Sequence, residues 1–280
     1  MEIKPLFPAI IAQIEKLKHY IRIPKITRTF FPAYSVNLDE CLGKKTEKNN
    51  FGAIGLEDNS VGFTYIRYLN AEQMSQLQTL QITMIGQSPL NYIQYLGGEN
   101  DLEHLIALLC VNAISQCYFR QKNIPLDFTS DSLGALDPQP SDHIGMIGFF
   151  RPLIPQIYTA GAKLTVIEKK VELIQTHKNW RVTLDPKELR GCNKVLCTAS
   201  TLINKSLENI LEYTPETSFF TIIGPTMGLL PDELFKRGIT VVGGSFVENT
   251  SLLFECLNDG RDWGPAVKKY CIFKEKYNLK

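Results

Sequence analysis

DHIGMIGFFRPLIPQIYTAGAKLTVIEK, residues 142 to 169, reads as one complete strand, turn, helix, strand unit that ends in an acidic residue. The apolar run Ile144 to Phe150 has the length of a strand buried on both faces, and Pro152 and Pro155 forbid its continuation. Proline is tolerated in a first helical turn, whose N–H groups have no intrahelical acceptor, so a helix is expected to start there. Gly161 supplies the left-handed residue that closes it. Leu164 to Ile167 follows as a second strand. A right-handed crossover makes the two strands parallel and brings the turn at 149–152 and Glu168 to the carboxyl edge of the sheet, where open α/β sheets bind ligands.

Working outward, the same alternation continues toward the C-terminus. Trp180 to Leu184 and Lys194 to Thr198 (KVLCT) read as strands, Leu202 to Leu211 as a helix and Phe219 to Gly224 as a strand. Asp232 to Lys236 reads as a short helix closed by Gly238, Ile239 to Gly243 as the last strand, and Thr250 to Leu257 as a final helix with Asn249 as N-cap and Gly260 beyond its end. In the usual doubly wound order KVLCT returns beside the first strand. Three loops then meet at the reversal and share a crevice: 149–152, 199–204 and 224–228. The basic C-terminal KKYCIFKEKYNLK reads as a solvated face or tail.

Upstream, Pro8 to Tyr20 carries Ile10, Ile11, Ile14 and Leu17 at helical spacing and is stopped by Pro24. Ser35 to Tyr68 is richer in alternation and glycine, and FGAIGLEDNSVGFTYIRY (51–68) reads as two strands around an Asp58-Asn59 turn. Helices are expected at 71–80, at 90–96 after Gln87-Ser88-Pro89, and over the strongly apolar 101–118, an α+β pattern. KNIPLDFTSDSLGALDPQPSD (122–142) loses periodicity and gains Pro, Asp and Ser, the composition of an exposed connection. The expected organisation is an α+β domain over residues 1–125 and an α/β domain with a doubly wound parallel sheet over residues 140–280.

The length of 280 residues suits two such domains. Thirty Lys and Arg against 29 Asp and Glu give no general attraction to phosphate backbones or anionic bilayers, so neither nucleic acid nor a membrane is an expected partner. Seven scattered cysteines are no disulfide framework, and the N-terminus has no basic start followed by a long apolar core. The cytoplasm is the expected location. The sequence does not fix the oligomeric state, a homo-oligomer included.

Gly145, Gly148 and the Phe149-Phe150-Arg151 that follows do not make the dinucleotide fingerprint, which needs glycines where backbone approaches a pyrophosphate. No NAD or FAD is expected. The two phenylalanines either line the approach or cap the core. Arg151 either clamps an anion bidentately or pairs with a surface acid. Glu168 sits where an acid at the end of the second strand hydrogen-bonds a polar ligand, or belongs to a solvated cluster with Lys169 and Lys170. Ser200, Thr201 and Asn204 place hydroxyl and amide groups at a helix start, where capping explains only one of the two hydroxyls. Gly224-Pro225-Thr226 is a strand-ending turn whose glycine permits close backbone approach and whose threonine faces the crevice, while Gly243-Gly244 reads first as structure. Asn112, inside the apolar ALLCVNAI, costs about 1 to 3 kcal/mol if buried without partners, so it must reach something. His19, His104, His143 and His177 lie far apart and no C-x-x-C occurs, which is not a zinc pattern.

The G-F-F-x-P-L turn, CTASTLINKSLENIL (197–211) with its T-L-I-N element, IIGPTMGLLPDELFKRGITVVGG (222–244) and, more weakly, ALLCVNAIS (107–115) resemble the family described by the words "putative heavy-metal chelation". The chain departs from that pattern at Ala199, where glycine is expected, at Ser206, where threonine is expected, and over its first fifty residues. The resemblance implies a Rossmann-like domain preceded by a smaller enolase N-terminal-like domain. It also implies a small polar ligand between the domains, a heavy metal or a metal-chelating metabolite as cofactor, and roles for Asn112, Asn204 and the Gly224-Pro225-Thr226 loop in holding it. The alternative is an enzyme acting on a small anionic metabolite, with Arg151 and the Thr226 loop orienting it and Glu168 as acid or base.

Overall fold

A computed structural model describes residues 4–33, 50–129, 132–215 and 217–277. Cys41 and residues 35–49 of the expected alternating segment lie outside the described residues. The chain forms two compact units, the first from Met1–Pro125, Gly228–Leu230 and Ser245–Lys268, the second from Leu126–Met227, Pro231–Gly244 and Lys269–Lys280. Two segments inside the expected 140–280 domain thus return to the first unit.

In the first unit, helix α1 (Leu6–Leu17) precedes an antiparallel sheet ordered β1 (Ile26–Phe30), β2 (Phe51–Leu56), β3 (Val61–Tyr65). The hairpin turns where expected: Asn59 has φ 65°, a conformation asparagine tolerates, and Asp58 Oδ1 accepts the Ser60 N–H at 3.0 Å. Strand β1 carries only five residues with a buried residue at each end, too short a signal to find by period. Helix α2 (Ala71–Met84) opens on a capping box between Asn70 and Gln73 and outruns its expected end. The expected helix at 90–96 is instead two single 3-10 turns, Pro89–Asn91 and Ile93–Tyr95.

Helix α3 (Asp101–Gln121) is apolar and long enough to cross a membrane, yet 89% of that apolar window is buried inside the protein, the burial of a core helix. It lies so close to β3 that a Cβ on Gly62 would collide with the Leu109 carbonyl. On the opposite face of β3, Val61 and Phe63 join a core with Leu253, Phe254 and Leu257 of helix α9 (Thr250–Asp259). Period two explains the arrangement: odd residues of β3 face α9, and Gly62 faces α3. A three-stranded sheet buried on both faces needs a second cover, which is why 245–268 belongs to this unit. Asn249 caps α9 through the Leu252 N–H and Gly260 closes it at φ 63°, as expected.

The second unit is built on a sheet ordered β11-β10-β9-β8-β4-β5-β7-β6. Its strands are β4 (His143–Ile147), β5 (Lys163–Ile167), β6 (Gln175–Thr176), β7 (Trp180–Thr183), β8 (Lys194–Thr198), β9 (Phe219–Ile223), β10 (Val241–Val247) and β11 (Val267–Phe273). From β7 through β5, β4, β8 and β9 to β10 every pair is parallel, and β6 runs antiparallel on β7. This is the doubly wound order: the chain moves outward from β4 over β5 and β7, then returns to β8 on the other side of β4. Ile144, Met146 and Val166 are completely buried in its core, each contributing about 1.5 to 3 kcal/mol by burial.

Two expectations need correction. The connection 122–142 is not wholly exposed, because it contains a short helix, α4 (Ser132–Leu136), whose Leu133 and Leu136 join that core. The basic C-terminal segment is not a solvated tail either: it forms β11, with Tyr270, Cys271 and Ile272 buried, and Asp127 and Cys271 bond backbone to backbone in both directions. Five lysines against one glutamate give the segment its charge, while three consecutive buried residues, Tyr270 to Ile272, give it its place.

Candidate functional site

The reversal of strand order lies between β4 and β8, and the loops that leave their carboxyl ends touch. Strand β4 ends at Ile147, and Gly148 turns the chain at φ 89° with its N–H on the Ile167 carbonyl at 2.9 Å. A Cβ at Gly148 would sit 3.0 Å from Thr198 Cγ2, so the β4 and β8 turns are in direct contact. Strand β9 joins through the Ala199 N–H on the Ile223 carbonyl at 2.7 Å, and β10 through the Gly224 N–H on the Gly243 carbonyl at 3.1 Å. Gly224 has φ 135° and its Cβ position is 3.5 Å from Ala199 Cβ. Gly148, Thr198 and Ala199, which the sequence reading did not single out as site residues, form the centre of this junction; a glycine directly after an apolar strand was the available signal.

After Gly148, the rings of Phe149 and Phe150 are half-buried against the sheet's core, and a short 3-10 turn (Arg151–Leu153) leads into helix α5 (Ile154–Thr159). Arg151 is exposed, its guanidinium carbon 5.6 Å from the Phe149 ring centroid. Glu168 leaves the end of β5 and turns back: Oε2 accepts the Phe149 N–H at 3.1 Å, while Oε1 accepts those of Lys169 and Lys170 at 2.8 and 3.3 Å.

The expected helix over 202–211 is broken into α6 (Ser200–Ile203) and α7 (Leu207–Leu211), because Asn204 and Lys205 form a turn in which Lys205 has φ 57°. Asn204 Oδ1 accepts from the Ser206 N–H at 3.2 Å and the Ser206 hydroxyl at 2.5 Å. Its Nδ2 donor is engaged by no described residue. Thr201 is buried, its hydroxyl donating to the Thr198 carbonyl at 2.7 Å and lying 3.5 Å from Cys197 Sγ. Ser200 is half-buried and shares a hydrogen bond with Thr198 Oγ1. In the β9 loop Pro225 is half-buried, whereas Thr226 is 3% exposed and belongs to the packing. Gly244 is required by structure, since a Cβ there would run into the Met227 carbonyl, which also accepts the Tyr270 hydroxyl at 3.3 Å.

Ten of the eleven expected site residues therefore lie on this one edge. Asn112 stands in α3 of the first unit, where Nδ2 donates to the Phe63 carbonyl at 3.4 Å and Gly228, the last residue of the 224–228 loop, fits against its side chain with a Cβ position 2.9 Å from Cγ.

A metal centre finds little support in the side chains. Among the described residues no group of three or more His, Cys, Asp or Glu is placed to hold an ion. The described cysteines are buried, and burial pushes the thiols of Cys117 and Cys197 up to about 12 and of Cys192 up to about 11. Thiolates bind soft metals, and burial without a cation suppresses the thiolate. His143 is held below the usual imidazole value first by burial, then by Lys163 and Arg181; its Nε2 is 2.9 Å from Thr165 Oγ1, at the amino end of the sheet, away from the reversal loops. The described residues do not make a preformed heavy-metal site.

Two solved structures share the fold over nearly the whole chain. A protein of unknown function from Pyrococcus horikoshii has a TM-score of 0.66 at 18% identity, with 96% of this chain and 99% of that chain covered. One from Desulfitobacterium hafniense DCB-2 has a TM-score of 0.69 at 16% identity, with the same coverage. Both are described as members of the DUF364 family. No curated protein matches the chain. The DUF364 family itself, described by the words "Putative heavy-metal chelation", matches residues 131–274, just over half of the chain, and the chain belongs to that family.

Proposed function

We propose that the carboxyl edge of the second unit's sheet binds a small polar organic ligand, of the class that can itself chelate a heavy metal, between the loops after β4, β8 and β9. One observation carries this reading: at the strand-order reversal the turn after β4 touches the turn after β8, which is hydrogen-bonded to the end of β9, and the loops leaving these strands carry half-buried Ser200, Asn204, Pro225, Phe149 and Phe150 and exposed Arg151. An edge of this kind is where doubly wound sheets take ligands. The family description supports a connection with metal, and the lack of a ligand cluster among the described residues favours a metal that arrives on an organic carrier. Gly224 gives the approach, Asn204 Nδ2 and the Ser200 hydroxyl give direction, and Glu168, Thr201 and Thr226 hold the loops. Asn112 is assigned to holding Gly228 within the first unit.

The enzyme reading is weaker, because Glu168, its acid or base, already accepts three backbone N–H groups. Six buried free thiols among the described residues suit a reducing compartment, which supports a cytoplasmic location. The test is native mass spectrometry with elemental analysis on freshly purified protein, comparing wild type with Asn204→Asp. Aspartate keeps the oxygen that accepts from Ser206 and removes the Nδ2 donor. An organic adduct on the wild type, any metal leaving with it, and an adduct reduced about fivefold or more in the variant are expected. Metal retained at one per chain after the organic ligand is stripped, or an unchanged adduct in Asn204→Asp, refutes the reading.

A further inference from the structure

We infer that Glu168 is a resident anion that closes this crevice to phosphate-bearing ligands. The inference rests on the reading of this edge as the ligand site and adds the class of ligand it rejects. In open α/β sheets the turn after the first strand offers backbone N–H groups to a phosphate. Here the N–H groups of Phe149, Lys169 and Lys170 converge on one carboxylate, at 3.1, 2.8 and 3.3 Å. Three hydrogen bonds to two charged oxygens are what a bound anion would receive.

The geometry of the chain makes the carboxylate a fixture. The Glu168 N–H donates to the Thr183 carbonyl at 3.0 Å, which pins its backbone to the end of β7. Gly148, at φ 89° and bonded to Ile167, brings the Phe149 N–H toward the same point. Phe149 and Phe150 pack their rings on the core, so the turn has no room to retreat. Lys169, Lys170 and Arg151 are exposed around the cradle and supply positive charge that the carboxylate partly balances. A phosphate would have to displace a tethered anion or sit beside it, and like charges at contact distance repel. The ligand is therefore selected by what remains: the Asn204 amide, the Ser200 hydroxyl and the aromatic rings, groups suited to a ligand without phosphate.

The test uses the full chain with Glu168→Ala and Glu168→Gln, and probes of known identity: inorganic phosphate, NAD and acetate, against chloride at matched ionic strength. For the wild type, calorimetry and thermal melts are expected to show no saturable response to phosphate or NAD up to about 10 mM. Glu168→Ala should melt lower, recover saturably with acetate or phosphate, and bind phosphate about tenfold or more tightly than the wild type. Glu168→Gln is neutral, keeps an oxygen for the Lys169 and Lys170 N–H groups and presents a donor to the Phe149 N–H. In that variant the Phe149 amide should exchange hydrogen about tenfold faster while Met146 in β4 stays protected. Saturable micromolar binding of phosphate or NAD to the wild type overturns the inference. A folded Glu168→Ala that ignores every anion, or, if that variant does not fold, an unchanged Phe149 amide in Glu168→Gln, also overturns it. These probes do not involve the co-purified ligand, so an unchanged adduct in Asn204→Asp removes the binding reading alone.

Discussion

Gly148→Ala tests whether the junction of the β4 and β8 turns is as tight as the structure shows. The added methyl meets two separate obstacles. At φ 89° an L-residue is strained by about 1 to 3 kcal/mol whatever the space around it. The new Cβ also lies 3.0 Å from Thr198 Cγ2, tighter than ordinary van der Waals contact, and overpacking of this kind costs about 1 to 3 kcal/mol. The sum is a loss of about 2 to 6 kcal/mol, a large part of the stability of an ordinary domain. Thr198→Ser removes Cγ2 while keeping the hydroxyl that bonds Ser200, so the double variant should recover the packing part, about 1 kcal/mol or more, and leave the backbone part. Urea unfolding followed by tryptophan fluorescence, with the slope of the transition monitored, reads all four corners of this cycle. A loss under about 0.5 kcal/mol for Gly148→Ala, or additive effects in the double variant, would show that the two turns do not press on each other.

Two further outcomes are expected. Asp142 is 6% exposed and bonded to Lys194 at 2.8 Å and to Asn193 at 2.7 Å; burial alone would raise its carboxyl, but these partners and the Gln139 N–H hold it below the usual aspartate value. A depressed folded value means stability that is fully present above the unfolded pKa near 3.8 and is lost as pH falls through the folded value, so acid unfolding of the wild type should be steeper below about pH 4 than that of Asp142→Asn, and parallel curves would refute it. Because burial suppresses their thiolates, Cys110, Cys117, Cys192 and Cys197 should stay unmodified by a thiol reagent at pH 8 in the native protein and react on unfolding, as read by peptide mass spectrometry; rapid native labelling of Cys197 would refute the burial at the reversal point.

The strand, turn, helix, strand unit at 142–169 was legible because each signal in it is local. Four apolar or glycine residues, Ile144 to Ile147, fill β4 after His143, two prolines stand where a helix can accept them, and Gly161 at φ 81° ends it. The position of β8 beside β4 also followed, since a parallel sheet permits few windings. What failed was the reading of segments whose partners are distant. Ser132–Leu136 looks like linker because its two leucines find their core only in the folded second unit, and Val267–Phe273 looks like a charged tail because alternation is replaced by burial at its last residues. Leu202 to Leu211 reads as one helix by period, yet Asn204 prefers to bond Ser206 and turn the chain.

By itself the sequence determined the α/β class, the doubly wound order and the edge on which most of the candidate residues fall, because hydrophobic period, proline and glycine act within a few residues and leave the topology little choice. Only the tertiary structure decided what each polar side chain does there. Glu168 and Thr201 are candidate ligand contacts by sequence, and in the folded chain their oxygens are also bonded to backbone groups of the loops that carry them. The return of residues 245–268 to the first unit was equally a tertiary decision, made where a three-stranded sheet with two apolar faces required a second cover. A hydrogen bond or a buried face is a relation between two places in space, and a chain read in order holds only one of them at a time.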